Sequence, residues 1–182
     1  MFSRIIYLLA VVTFLVSGLM VEIKSFEEKE RQMEEIARIN KRKEIIEKIP
    51  KQYVKLVVYF CDKYKVPIGL VYRLVKQESD WDRYARGYNS NGTVDRGLFQ
   101  LNSQYLTCFS RAYFSGKRID PYNPNHSIEV GIKMLSYYGT FFKGNWRKAL
   151  YAYNWGIGRV IRKYEVPRSV YLYAQKILEE NT

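Results

Sequence analysis

Glu78, Ser79, Asp80 and Trp81 close a stretch in which Leu70, Val71, Leu74 and Val75 recur at helical spacing. Glu78 lies four residues past Leu74, so a helix that buries Leu74 carries the carboxyl on the same apolar face. A carboxyl set against such a face, next to an indole, has its charged form disfavoured by burial, and its pKa rises. An acid whose pKa approaches neutrality is suited to protonating a leaving group. Taken alone, a glutamate near a helix end is more often a solvated surface group. Two motifs further along the chain, and their spacing from Glu78, decide between these readings.

Gly97-Leu98-Phe99-Gln100-Leu101-Asn102 comes next, and later Ala152-Tyr153-Asn154-Trp155-Gly156. A helix ending in Glu-Ser, then Gly-Leu-Phe-Gln, then Ala-Tyr-Asn-x-Gly, in that order, resembles the lytic transglycosylases of the goose-lysozyme-like superfamily, which cleave bacterial peptidoglycan strands. The resemblance runs from about Tyr53 to Leu178, and Asn91-Gly92-Thr93-Val94-Asp95 before Gly97 looks most like the small members associated with secretion and conjugation machines. It implies a mainly α, lysozyme-like α+β fold, no cofactor, and peptidoglycan glycan strands as substrate.

Carried over position by position, the resemblance makes Glu78 the catalytic acid/base and Ser79 the hydroxyl that helps hold it. Gln100 would line the glycan cleft, Gly97 would let backbone approach closely, Leu98 and Phe99 would pack the floor, and the Tyr153 phenol, with Asn154, would lie near the carboxyl. In the family one Glu acts first as acid and then as base toward the sugar's own 6-hydroxyl, giving 1,6-anhydromuramic acid ends. Two departures bear on this. Asp82-Arg83 stands where many members have Asn-Pro, and Gly87 stands where many have a sugar-binding serine, a contact that would fall to Asn89 or Ser90.

Most glycoside cleavage uses two carboxylates. Asp80 and Asp82 follow Glu78 at once and read as turn formers, while Asp95 closes the expected hairpin and is the candidate second carboxylate. With Asp95 engaged the chain would be a muramidase that hydrolyses the same bond. The rival from another class is a non-catalytic glycan-binding scaffold of an envelope-spanning machine, for which Gln would serve as well as Glu at position 78.

The elements that position these groups are read from the rest of the chain. Its 182 residues suffice for one catalytic domain and a tail, and 47% hydrophobic with 16% aromatic residues exclude disorder. The formal charge of +12 sits in the globular part, where residues 51–182 carry 21 Lys/Arg against 10 Asp/Glu. The basic residues are scattered without a run of five, which argues against a nucleic-acid patch and suits an acidic polymer such as peptidoglycan.

Arg4 precedes an uncharged run, Ile5 to Val21, of 17 residues. This reads as an N-terminal membrane anchor over 1–21 with the amino end inside, or as a signal peptide cleaved after Gly18. Either sends the rest to the cell envelope, anchored on the periplasmic face of the inner membrane or secreted to the periplasm. Residues 22–50, rich in Glu, Lys, Arg and Ile and ended by Pro50, read as a charged helical spacer, roughly 40 Å long at 1.5 Å per residue. Its apolar positions hold no sustained heptad, so a monomer is expected.

The catalytic domain is expected over 51–182, with two helices before Glu78, the second starting at Pro67. A hairpin is expected around Asn91-Gly92, and further helices over 103–109, 128–138, 146–153 and 169–178. Cys61 and Cys108 either form a disulfide or remain two buried thiols. His126 follows Pro124-Asn125 at a helix start and reads as a turn residue. No spacing suits a metal.

Overall fold

The computed structural model describes residues 2–162 and 165–179. The chain divides into two compact units, 1–44 and 45–182. The first comprises most of helix α1 (Phe2–Lys48), whose side chains from residue 17 onward are exposed almost throughout. The exposed pairs Glu28–Arg31 (3.6 Å) and Glu35–Arg38 (3.5 Å) support it by a few tenths of a kcal/mol each, about 0.3. Among the described residues no helix is long and apolar enough to cross a membrane. The expected anchor or signal run is not thereby decided, because its side chains up to residue 16 lie outside the described residues.

In the second unit Ile49 is buried, ahead of α2 (Lys51–Tyr64) and α3 (Ile68–Ser79). Pro50 and Pro67 are the N-caps of these helices, so Pro67 stands one position outside the helix it was expected to begin. Both end on a left-handed residue, Lys65 (φ 56°) and Asp80 (φ 50°), whose N–H groups bond the carbonyls of Cys61 and Lys76. Val57, Phe60 and Cys61 from α2 and Leu70, Val71, Leu74 and Val75 from α3 enter one core.

After α3 the chain forms an antiparallel sheet in the order β1 (Arg86–Tyr88), β2 (Val94–Arg96), β3 (Leu101–Asn102). The tight turn at Asn91-Gly92 takes Gly92 to φ +79°, as a hairpin requires. In register, Gly87 faces Asp95 and Asp95 faces Asn102, so three residues form a row across the sheet. The third strand was not expected; at two residues it carries no periodic signal.

Helices α4 (Leu106–Tyr113), α5 (Pro124–Phe141), α6 (Trp146–Tyr151), α7 (Ile157–Ile161) and α8 (Arg168–Leu178) complete the unit. A π-helical turn, Ala152–Gly156, joins α6 to α7. Asn123 caps α5 through its side chain, and His126 Nδ1 accepts from the Asp120 N–H (3.1 Å), a structural role as expected.

α5 is the central packing element. Ile128, Ile132 and Leu135 are fully buried, and Gly131 lets the Phe99 ring lie directly on the helix: a Cβ there would sit 2.0 Å from Phe99 Cδ1. Cys61 and Cys108 are free thiols in this structure: Cys61 is buried on the core face of α2, as a buried thiol was expected to be, while Cys108 is exposed on α4 rather than buried.

The Gly131 contact yields a sign test. Alanine has the better helix propensity by about 1 kcal/mol, but here it must displace the Phe99 ring. Gly131→Ala is expected to destabilise the unit by about 1–3 kcal/mol, read as a lower urea midpoint. A midpoint at or above that of the parent would refute this packing.

Candidate active site

Glu78 occupies the last turn of α3, on the face opened by Leu74 and Val75, and is half-buried at one wall of a cleft of roughly 870 Å³. Burial, with the charge of Asp95 added, pushes its pKa up to about 7 against the lowering effect of a hydrogen bond from Tyr173. Tyr173, on α8, donates its phenol to Glu78 Oε1. No lysine or arginine is among the groups that shift this carboxyl.

Tyr153 lies near the carboxyl: burial, first, and the charge of Glu78 hold its phenol well above the usual tyrosine range, while its hydrogen bond goes to the Phe99 carbonyl (2.7 Å). The tyrosine that touches the carboxyl is Tyr173. Its place on the inward stripe Val170, Tyr173, Ala174, Ile177 was readable at helical spacing.

Of the residues expected to meet substrate, Gln100, Tyr153 and Asn154 line the cleft, as do Asn89 and Ser90. Ser79, Gly97, Leu98 and Phe99 do not; they build what lies beneath it. Ser79 Oγ donates to the Leu98 carbonyl (2.8 Å), fastening the end of α3 to the Gly-Leu-Phe-Gln segment. Leu98 and Phe99 are fully buried, as floor residues should be. Gly97 (φ +76°) permits a close approach, but to protein: a Cβ would lie 1.9 Å from the Pro121 carbonyl oxygen.

Gln100 (φ 45°) spends its amide on the carbonyls of Ala85 (3.2 Å) and Gly97 (3.0 Å), which ties the hairpin to the floor. Its Oε1 lies 3.1 Å from where a Cβ on Gly87 would stand, so the side-chain-free position 87 is matched to Gln100. Trp81 is not beside the carboxyl. It turns away at φ 66° to pack on Tyr53 and Tyr72.

Asp95 lines the same cleft, and both of its oxygens are taken: Oδ2 accepts from Asn89 (2.8 Å) and Oδ1 from Asn102 (2.7 Å). Two carboxamide donors match an ionised carboxylate, which only accepts. The cleft thus holds two carboxyls in different settings: Glu78, whose pKa burial raises to about 7, and Asp95, fixed through both oxygens by carboxamide donors. Asp80 and Asp82 play turn roles, Asp80 beside Lys76 and Asp82 accepting from the Tyr84 N–H (2.8 Å). Among the described residues no group of three His, Cys, Asp or Glu could hold a metal ion.

A carboxyl with a raised pKa at a cleft wall can protonate a leaving oxygen there. Invasion protein IagB of Salmonella typhimurium is 31% identical over 93 residues, covering 51% of this chain and 57% of that protein. Protein IpgF of Shigella sonnei is 25% identical over 95 residues, 52% and 61% respectively. The chain therefore matches a little under two thirds of the length of these relatives. The fold is that of the 70 kDa soluble lytic transglycosylase of Escherichia coli (TM-score 0.60, 22% identity, 74% of this chain and 24% of that one). It is equally that of an inactive mutant of lytic transglycosylase Slt from Pseudomonas aeruginosa (TM-score 0.59, 22%, 71% and 23%). Residues 57–170, which include Glu78, Gln100 and Tyr153, match the family described as the transglycosylase SLT domain, and the chain belongs to that family.

Proposed function

We propose that the chain is a peptidoglycan lytic transglycosylase that cleaves between N-acetylmuramic acid and N-acetylglucosamine and leaves 1,6-anhydromuramic acid ends. The observation that carries this reading is Glu78: a carboxyl on a cleft wall, with a pKa of about 7 and, among the described residues, no cationic partner to hold it ionised. Its protonated form gives the proton to the glycosidic oxygen; the carboxylate so formed, steadied by the Tyr173 phenol, takes the proton of the sugar's 6-hydroxyl. A group with a pKa near ambient pH serves both steps. Gln100, Tyr153 and Asn154 line the path of the glycan.

Asp95 supports a second reading. An anion fixed by Asn89 and Asn102 in the same cleft could activate water, and the product would then be a reducing end. The envelope is the site of action that fits an uncharged run ahead of this domain, the run serving as a membrane anchor on the periplasmic side. A secretion or envelope machine is the partner expected from segment 91–95, and one relative of the chain is named for invasion.

Mass spectrometry of muropeptides released from purified sacculi by the full chain tests the reaction. Products ending in anhydromuramic acid are expected, and Glu78→Gln is expected to lower their release at least about hundredfold. Undiminished release by that variant would sink the enzymatic reading, and reducing ends would transfer the assignment to hydrolysis with Asp95.

The acid form of Glu78 dominates below its raised pKa and is lost above it. The rate is therefore expected to fall as pH rises through about 7. Tyr173 holds that pKa down, so Tyr173→Phe is expected to move the alkaline limb to higher pH. An unmoved limb would remove Tyr173 from the titration of Glu78.

In cells, the full-length chain is expected in the membrane fraction, resistant to high-salt extraction. A soluble periplasmic form beginning after Gly18 would replace the anchor by a cleaved signal.

A further inference from the structure

The cleft draws its polar lining from two segments of the chain. The hairpin and the residues just beyond it contribute Asn89, Ser90, Asn91, Thr93 and Gln104, all neutral, and the carboxylate of Asp95. The π-helical turn, α7 and the residue that caps it contribute Trp155, Arg159 and Arg162. Arg159 and Arg162 are three residues apart on one helical face, and both are exposed.

Arg159 is held in place. Its Nη1 donates to the Trp155 carbonyl (2.9 Å), and the guanidinium stands 5.8 Å from the indole centroid. Arg162 continues the same turn, its N–H bonding the Gly158 carbonyl (3.2 Å). Both arginines are exposed, and nothing stands within 4 Å of where a Cβ on Gly156 or Gly158 would be.

The charge of this pair is uncompensated. Among the described residues neither guanidinium has a carboxylate within ion-pair distance. The other charged groups lining the cleft are Glu78 and Asp95, and Asp95 is already engaged through both oxygens by Asn89 and Asn102. A glycan backbone of N-acetylated sugars gives a guanidinium hydroxyls and amides to meet. The peptide stems that hang from the muramic residues carry free carboxylates, whose planar geometry the guanidinium fork matches.

Building on the proposed activity, the geometry points to a carboxylate subsite at Arg159 and Arg162 that takes the peptide stem of a muramic residue lying in the cleft. The stem is thereby held at the α7 end of the lining residues. Such a subsite confers specificity: stem-bearing strands are preferred over glycans of the same backbone without carboxylates. Two solvated contacts contribute modestly, about fivefold together in kcat/KM.

The test compares native sacculi with sacculi whose carboxylates have been converted to N-methylamides, which keeps length, sugars and peptides while removing charge. The full chain is expected to favour the native material about fivefold in kcat/KM. In Arg159→Gln/Arg162→Gln that ratio is expected to fall to about one, through KM rather than kcat. Arg159→Lys/Arg162→Lys, which keeps the charge, is expected to retain most of it. A ratio unchanged by the Gln pair, or an equal loss on both materials, overturns the subsite. Cosedimentation of the full chain with the two kinds of sacculi reads the same preference without turnover. Absence of cleavage with the binding preference intact would therefore overturn the proposed activity and not the subsite, whereas cleavage without preference would overturn the subsite alone.

Discussion

An acid that must be protonated near neutral pH cannot sit beside a cation, and it cannot be fully solvated either. In a chain of formal charge +12, keeping a carboxyl clear of lysine and arginine is a constraint on the whole fold. The second unit meets it by carrying Glu78 on a helix whose other inward residues are Leu70, Val71, Leu74 and Val75, so that apolar atoms fill the space a counter-ion would otherwise take. The polar contact that remains is a neutral phenol, from Tyr173, which steadies the anion without preventing protonation.

Everything under the cleft serves to keep that carboxyl where it is. Ser79 ties the end of α3 to the Leu98 carbonyl, Tyr153 ties the π-helical turn to the Phe99 carbonyl, and Phe99 itself lies in the notch that Gly131 leaves on α5. Three distant segments thus converge on one buried dipeptide. The Gly-Leu-Phe-Gln segment acts as a keystone: its side chains are floor, its carbonyls are the fastening points, and only Gln100 reaches the cleft wall.

These features differ in how far they could be read from residues alone. The stripes of α2, α3 and α8 were legible because helical periodicity is local, and the Asn91-Gly92 turn because its chemistry is local too. The broad roles of the motif residues, floor for Leu98 and Phe99 and support for Ser79, came with the resemblance, but the partners they fasten to did not. Nothing in Gly97-Leu98-Phe99 distinguishes a residue that touches substrate from one that supports the residue that does, since both are demands of the same geometry. Tyr173 was one tyrosine among 17 until α8 was placed against α3, and the burial of Cys61 and exposure of Cys108 follow from packing that no spacing encodes. Strand β3 escaped because two residues cannot show a period, although its Asn102 is what fixes Asp95.

The π-helical turn explains how one short segment serves two surfaces. In an ordinary α-helix Ala152 to Gly156 would follow the 100° step set by α6, and neighbours in sequence would diverge steadily around the axis. Widening the turn to i→i+5 bonding adds a residue to it and changes which side chains share a face. Ala152 stays buried against Tyr138, Tyr153 reaches inward to the Phe99 carbonyl, and Asn154 and Trp155 are carried to the cleft. Gly156, at φ +96°, then ends the distortion and lets α7 start in a new direction, which brings Arg159 and Arg162 to the cleft. The same local irregularity that braces the floor beneath Glu78 therefore also brings positive charge to the cleft lining, so floor and lining cannot vary independently.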